Sequence, residues 1–220
     1  MLLSKEEAWY GLCENCQNEL VPKPDNLVLR CDQCGRPLIS EIDRCLPCRA
    51  YAETEPPSYD RLVSLFPYMG RFINLLSSFK YQKSLGTGHF LARQLIDALK
   101  LLPLHEMENP VLVPVPPRPG KIRKTGWDQI VCLSKILKQM DAPFPVQACL
   151  VRRVSQTQKK LDRKDRRLNL KGRIIAKGKA PKECILFDDV ITTGSTINAC
   201  AAALKANGAE TVFGVCLFYD

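Results

Sequence analysis

Residues 184–197 (CILFDDVITTGSTI) concentrate the groups best placed to do chemistry: an apolar run ends on two adjacent carboxylates and passes into a small polar stretch. Loops rich in Gly, Ser and Thr between a strand and a helix expose backbone N–H groups, and with the positive end of the helix dipole these suit a phosphate. The acids cannot serve that phosphate. Asp188 and Asp189 are acceptors, and a ribose with free vicinal hydroxyls offers the matching donors. The stretch therefore reads as a site for a sugar phosphate.

A second chemistry lies near the N-terminus, where six of the eleven cysteines form the Cys-x-x-Cys pairs Cys13/Cys16, Cys31/Cys34 and Cys45/Cys48. Two intervening residues let both thiolates turn onto one cation, and two such knuckles close a tetrahedral zinc site. We take Cys31, Cys34, Cys45 and Cys48 as the ligands, because Gly35 supplies the residue a tight knuckle turn favours. Cys13 and Cys16 are the alternative pair, since both knuckle spacings fit a zinc ribbon. No βαβ pattern surrounds any pair, which argues against a thioredoxin-like dithiol. His89 and His105 are distant in sequence and make poor ligands. Cys132, Cys149, Cys184, Cys200 and Cys216 sit in apolar contexts and read as small core residues.

The formal charge of +9 suits polyanionic partners such as nucleic acid or phosphorylated ligands. Its distribution is more telling than its size. Residues 152–179 hold twelve Lys and Arg side chains, Lys159, Lys160, Arg163, Arg166 and Arg167 among them, against Asp162 and Asp165 alone. Such a stretch repels itself without an anion, and we read it as a mobile loop that closes on a polyphosphate or a nucleic-acid backbone. There is no apolar run long enough to span a bilayer, and the first residues, with Glu6 and Glu7, do not resemble a secretory signal, so a cytoplasmic protein is expected.

These groups need elements to hold them. Residues 1–52 form the cysteine module, 52–59 (AETEPPSY) a linker, and 60–220 an α/β domain. The pattern predicts a strand over 61–68, helices over 70–80 and 88–102, a proline-ended buried strand over 111–117, and a helix from about 126 to 140, near whose start Asp128 reads equally as a cap or as a ligand contact. A helix over 195–207, stopped by Gly208, and a strand over 211–218 follow the acid pair. Alternating strands and helices define a doubly wound parallel sheet, with ligand at the carboxyl ends of its strands. Lys80 and Tyr81 fall in a cationic turn suited to pyrophosphate.

The run ILFDDVITTGSTI is similar to the phosphoribosyl-pyrophosphate (PRPP) motif of type I phosphoribosyltransferases. That resemblance implies that Asp188 and Asp189 hold the ribose hydroxyls while Thr192, Thr193, Gly194, Ser195 and Thr196 wrap the 5′-phosphate. Purine members carry an acid where Thr192 stands, which argues against purine salvage. Taken with the knuckles and CGRP, FKYQKS, VLVPVPP, KTGWDQ and QTQKKLDRKDRRLN, the chain resembles the ComF family of competence proteins over nearly all of its length. The family resemblance implies a zinc ribbon ahead of a type I phosphoribosyltransferase-like domain, with zinc and with Mg²⁺ accompanying PRPP. It implies as partners single-stranded DNA, PRPP or a related sugar phosphate, and a DNA-uptake ATPase. By position it places Lys80 and Tyr81 at the pyrophosphate and Gln158, Arg163, Arg167 and Asn169 in the basic segment. The chain departs from the family in having Thr125-Gly126-Trp127-Asp128-Gln129 where an Arg-Gly-Phe-Asn-Gln run is usual, and three knuckles where a double ribbon has four. Two functions follow: DNA uptake through single-strand and sugar-phosphate binding, or phosphoribosyl transfer to an acceptor that no residue pattern identifies.

Overall fold

The structure, a computed structural model, describes residues 10–20, 29–49, 57–153 and 172–220. In chain order its strands are β1 (Arg61–Pro67), β2 (Val111–Pro114), β3 (Leu150–Arg152), β4 (Ile174–Ala176), β5 (Glu183–Ile191) and β6 (Thr211–Tyr219). Its helices are α1 (Glu14–Leu20), α2 (Leu46–Arg49), α3 (Arg71–Lys80), α4 (Leu85–Ala98), α5 (Lys121–Thr125), α6 (Gln129–Gln139) and α7 (Ser195–Lys205).

Strands β1, β6, β5 and β2 lie side by side in that order, all parallel. A parallel sheet is buried on both faces, and the near-continuous apolar run of β6 reflects this: Val212, Phe213 and residues 215–218 are fully shielded. Alternation along β5 then divides the core in two. Ile185 and Phe187 join one cluster with residues of α3, α4 and α6, whereas Cys184 and Leu186 join another with Ile197, Cys200, Ala201 and Leu204 of α7. Helices thus cover both faces, as the α/β reading required. Strand β2 ends opposite Phe187, so Asp188 and Asp189 project past it at the carboxyl edge of the sheet.

Two differences from the sequence pattern have local causes. Helix α4 begins before Gly88 because the Ser84 hydroxyl accepts from the Thr87 N–H at 3.3 Å and caps it there. Residues 150–152 and 174–176 pair as an antiparallel hairpin against α7, although neither is long enough to show a period.

The N-terminal stretch divides between the two cores. Tyr10, Leu12 and Leu20 pack with the α3–α4–α6 cluster, and Tyr10 meets Phe90 edge-on at 6.2 Å between centroids. Cys31, Cys34, Leu38, Cys45 and Cys48 belong to the α7 cluster. Among the described residues no helix is long and apolar enough to cross a membrane.

Candidate functional site

Because side chains alternate on a strand, the adjacent acids leave β5 on opposite sides. Asp189 turns toward α3 and α6. Its Oδ2 accepts a hydrogen bond from Gln129 Nε2 at 2.8 Å and lies 3.7 Å from Lys80 Nζ, and the residue is only 7% exposed. The last turn of α3 supplies Lys80, and the first residue of α6 supplies Gln129. Lys80 Nζ also sits 5.8 Å from the ring centroid of exposed Tyr81.

Asp188 turns toward α7 and the hairpin, within electrostatic reach of Cys200 and Arg152. Burial, with the Asp189 charge beside it, raises its carboxyl well above the usual carboxylate range. Arg152 is depressed by burial first and then by the neighbouring Arg118 and Arg173, with Asp188 opposing. Three guanidinium groups within electrostatic reach of one another, with one carboxyl opposing, leave an excess of positive charge that an anion would offset.

Beyond Ile191 the chain turns through residues 192–194 into α7. Gly194 has φ +70°, a left-handed conformation that costs a side-chain-bearing residue about 1–2 kcal/mol. Ser195 N donates to the Thr193 hydroxyl at 3.4 Å, and the first turn of α7 has no acid, so this helix end stays electropositive. Thr192 is exposed, Thr193, Gly194, Ser195 and Thr196 are half-buried, and the Thr193 and Ser195 hydroxyls lie 2.8 Å apart. The sequence-expected residues of the acid pair and loop, together with Lys80, therefore meet at one edge of the sheet. Lys159, Lys160, Arg163, Arg166 and Arg167, with Gln158 and Asn169, lie outside the described residues.

The Sγ atoms of Cys31, Cys34, Cys45 and Cys48 all lie within 4.8 Å of one another, and all four residues are buried. The Cys34 and Cys45 sulfurs are 3.6 Å apart, close to the roughly 3.8 Å that tetrahedral Zn–S bonds of about 2.3 Å impose. Backbone turns build the knuckles, with Gly35 N donating to Cys31 O at 2.8 Å and Cys48 N to Cys45 O at 2.9 Å. Hydrogen bonds from Cys34 and Cys48 hold the Cys31 thiol far below the usual range, while the shared interaction pushes Cys34 up to about 12 and Cys48 higher still. Four soft donors that cannot all ionise unaided suit a zinc ion, which with four protein ligands would be structural, with no position left for a substrate. Cys13 and Cys16 are exposed and lie outside this cluster.

The module rests on β1 through backbone contact. A Cβ on Gly35, whose φ is +69°, would stand 2.1 Å from Leu62 O, so only glycine fits. Ser64 Oγ donates to Cys34 O at 3.0 Å, and Arg30 Nη1 donates to Gly35 O and Ser64 O at 2.9 and 3.0 Å. Sequence reasoning marked Gln129 as a helix opener, Arg152 as part of the basic segment and Arg36 as part of CGRP, but gave none of them its neighbour here, which only the fold supplies.

The fold and site together define a parallel-sheet α/β protein in which an acid pair precedes a strand–loop–helix junction and a four-thiol module packs nearby. No family model matches the chain. It is 31% identical over 210 residues to competence protein F of Haemophilus influenzae, with 92% of this chain and 87% of that protein covered, and it belongs to that family. The DNA utilization protein YhgH of Escherichia coli K12 is 26% identical over 213 residues, covering 94% of this chain and 90% of that protein. Among solved structures, a Trypanosoma cruzi hypoxanthine phosphoribosyltransferase is similar at TM-score 0.36 and 13% identity, covering 60% of this chain and 63% of that one. A purine phosphoribosyltransferase from Pyrococcus horikoshii is similar at 0.35 and 18%, covering 61% and 80%.

Proposed function

We propose that this protein serves DNA uptake in the cytoplasm by binding single-stranded DNA, with PRPP or a related sugar phosphate held where β5 meets α7. The observation that carries the reading is the acid-free N-terminus of α7 opening shortly after Asp188 and Asp189, so that phosphate donors and diol acceptors stand a few residues apart. Membership of the competence protein F family supports the cellular role. Mg²⁺ enters with PRPP, zinc occupies the four-thiol centre, and Arg152, with Arg118 and Arg173 near it, supplies positive charge on the Asp188 side.

Calorimetric titration with PRPP tests the site. Asp188→Asn with Asp189→Asn should weaken binding at least tenfold, because hydrogen bonds to charged acceptors are worth about 1.5–3 kcal/mol each; unchanged affinity refutes the assignment. In the DNA arm, anisotropy of a labelled single strand should show affinity falling linearly with salt on logarithmic axes. Affinity indifferent to salt removes the phosphate-contact reading.

A further inference from the structure

The cysteine module faces the phosphate loop as well as β1. Gln33, Cys34, Arg36 and Cys48 line one crevice with Tyr59, Ile191, Thr192, Thr193 and Gly194, and its free volume of about 10 Å³ barely admits a water molecule. Two connections cross it. Tyr59 donates its hydroxyl to Gln33 O, and a Cβ built on Gly194 would lie 3.6 Å from that same hydroxyl oxygen. Arg36 makes the other. Its Nη2 donates to Asp220 O, and its guanidinium carbon stands 5.1 Å from the Tyr219 ring centroid. Tyr219 is in register with Ile191, and Asp220 N donates to Ile191 O at 3.0 Å, immediately before the loop. Toward the module, the Arg36 guanidinium interacts with Cys34, Cys45 and Cys48, and among the described residues its buried Nε has no hydrogen-bond partner.

We infer that Arg36 is a positioning residue that couples the four-thiol centre to residues 192–194, so that metal and sugar phosphate stabilise each other's binding. The inference rests on reading those residues as the phosphate loop, and it adds a role for the module that the DNA-binding proposal does not need. The connection is physical and short: thiols, Arg36, Tyr219 and Asp220 at the end of β6, Ile191, loop. Coupling of this kind is reciprocal, since a ligand that tightens the metal must be tightened by it to the same factor. Arginine suits the position because its planar fork serves two directions at once, which a lysine point charge cannot do.

The test is loss of metal to a chelator from the full-length protein, loaded with zinc or with cobalt, with and without saturating PRPP. PRPP should slow metal loss by about tenfold in the wild type. Arg36→Gln should retain the thiolate-to-cobalt absorption band and measurable PRPP binding yet lose the protection, and Arg36→Lys should restore part of it. Tyr59→Phe, which removes only the hydroxyl that reaches Gln33, cuts the second connection and should also reduce protection; it stands in if Arg36→Gln does not fold. Full protection in the folded variants overturns the inference. So does PRPP binding to the wild type without any protection, which leaves the site reading standing. A metal-loaded wild type that binds no PRPP overturns the site reading itself, and this inference with it.

Discussion

Asp188, a proposed binding residue, is held at a cost to the fold. Its carboxyl is raised by burial and by Asp189, so the folded chain holds this proton more tightly than the unfolded chain does. Stability from this group is therefore greatest below the ordinary carboxylate range and declines as pH rises through the unfolded value of 3.8 toward the higher folded one. Asp188→Asn should accordingly melt higher than the wild type at pH 7, by about 2–4 °C for each kcal/mol relieved, with the gap closing near pH 4. Differential scanning calorimetry at the two pH values checks this; a lower melting temperature at pH 7 would show that the carboxylate stabilises the fold. The acid pair itself was legible, because the residue types and their order announce it. What each acid faces was not: Gln129 is 60 residues from Asp189 in sequence, and only packing of α6 beside β5 brings it to 2.8 Å.

The elements were easiest to read where side chains repeat over two or more turns. Helix α6 buries Ile130, Leu133, Ile136 and Leu137 at helical spacing, and of the two readings of Asp128, cap or ligand contact, the structure shows the cap. Asp128 Oδ1 accepts from Ile130 N and Val131 N at 3.0 and 3.1 Å, and Oδ2 accepts from Lys121 Nζ at 2.7 Å, with the carboxylate side chain 3% exposed. One residue thus fixes the start of α6, hence the place of Gln129, and ties it to α5. Asp128→Ala should cost about 2 kcal/mol, from the lost cap and the Lys121 partner left behind, and lower the melting temperature by about 4–8 °C. Thermal unfolding followed by circular dichroism checks this; a fall under 1 °C would mean that the helix start is held by packing alone. The β3–β4 hairpin escaped the sequence pattern for the opposite reason. Three-residue strands carry no usable alternation, and their pairing joins positions on either side of a long basic segment.

At the scale of the molecule, the sequence divides into a cysteine module and an α/β domain, yet the buried side chains do not respect that division. Cys31, Cys34, Cys45 and Cys48 share one apolar cluster with Tyr59 and Leu62 at the start of the domain, Leu186 of β5, and Ile191 and Ile197 on either side of the loop. Gly35 touches the β1 backbone so closely that no side chain could intervene, and β1 is hydrogen-bonded along its length to central β6. Metal that binds the folded thiols and not the unfolded chain stabilises whatever unfolds together with them. If the module were a separate unit, chelation would melt it and leave the sheet intact. The shared cluster requires the reverse: removing metal should lower the temperature of a single transition, in which release of metal to a colorimetric chelator and loss of far-ultraviolet circular dichroism coincide. Metal release that precedes the loss of secondary structure by more than a few degrees would make the module an independent appendage. It would then confine the contact between the cysteines and the loop to docking between two separately stable parts.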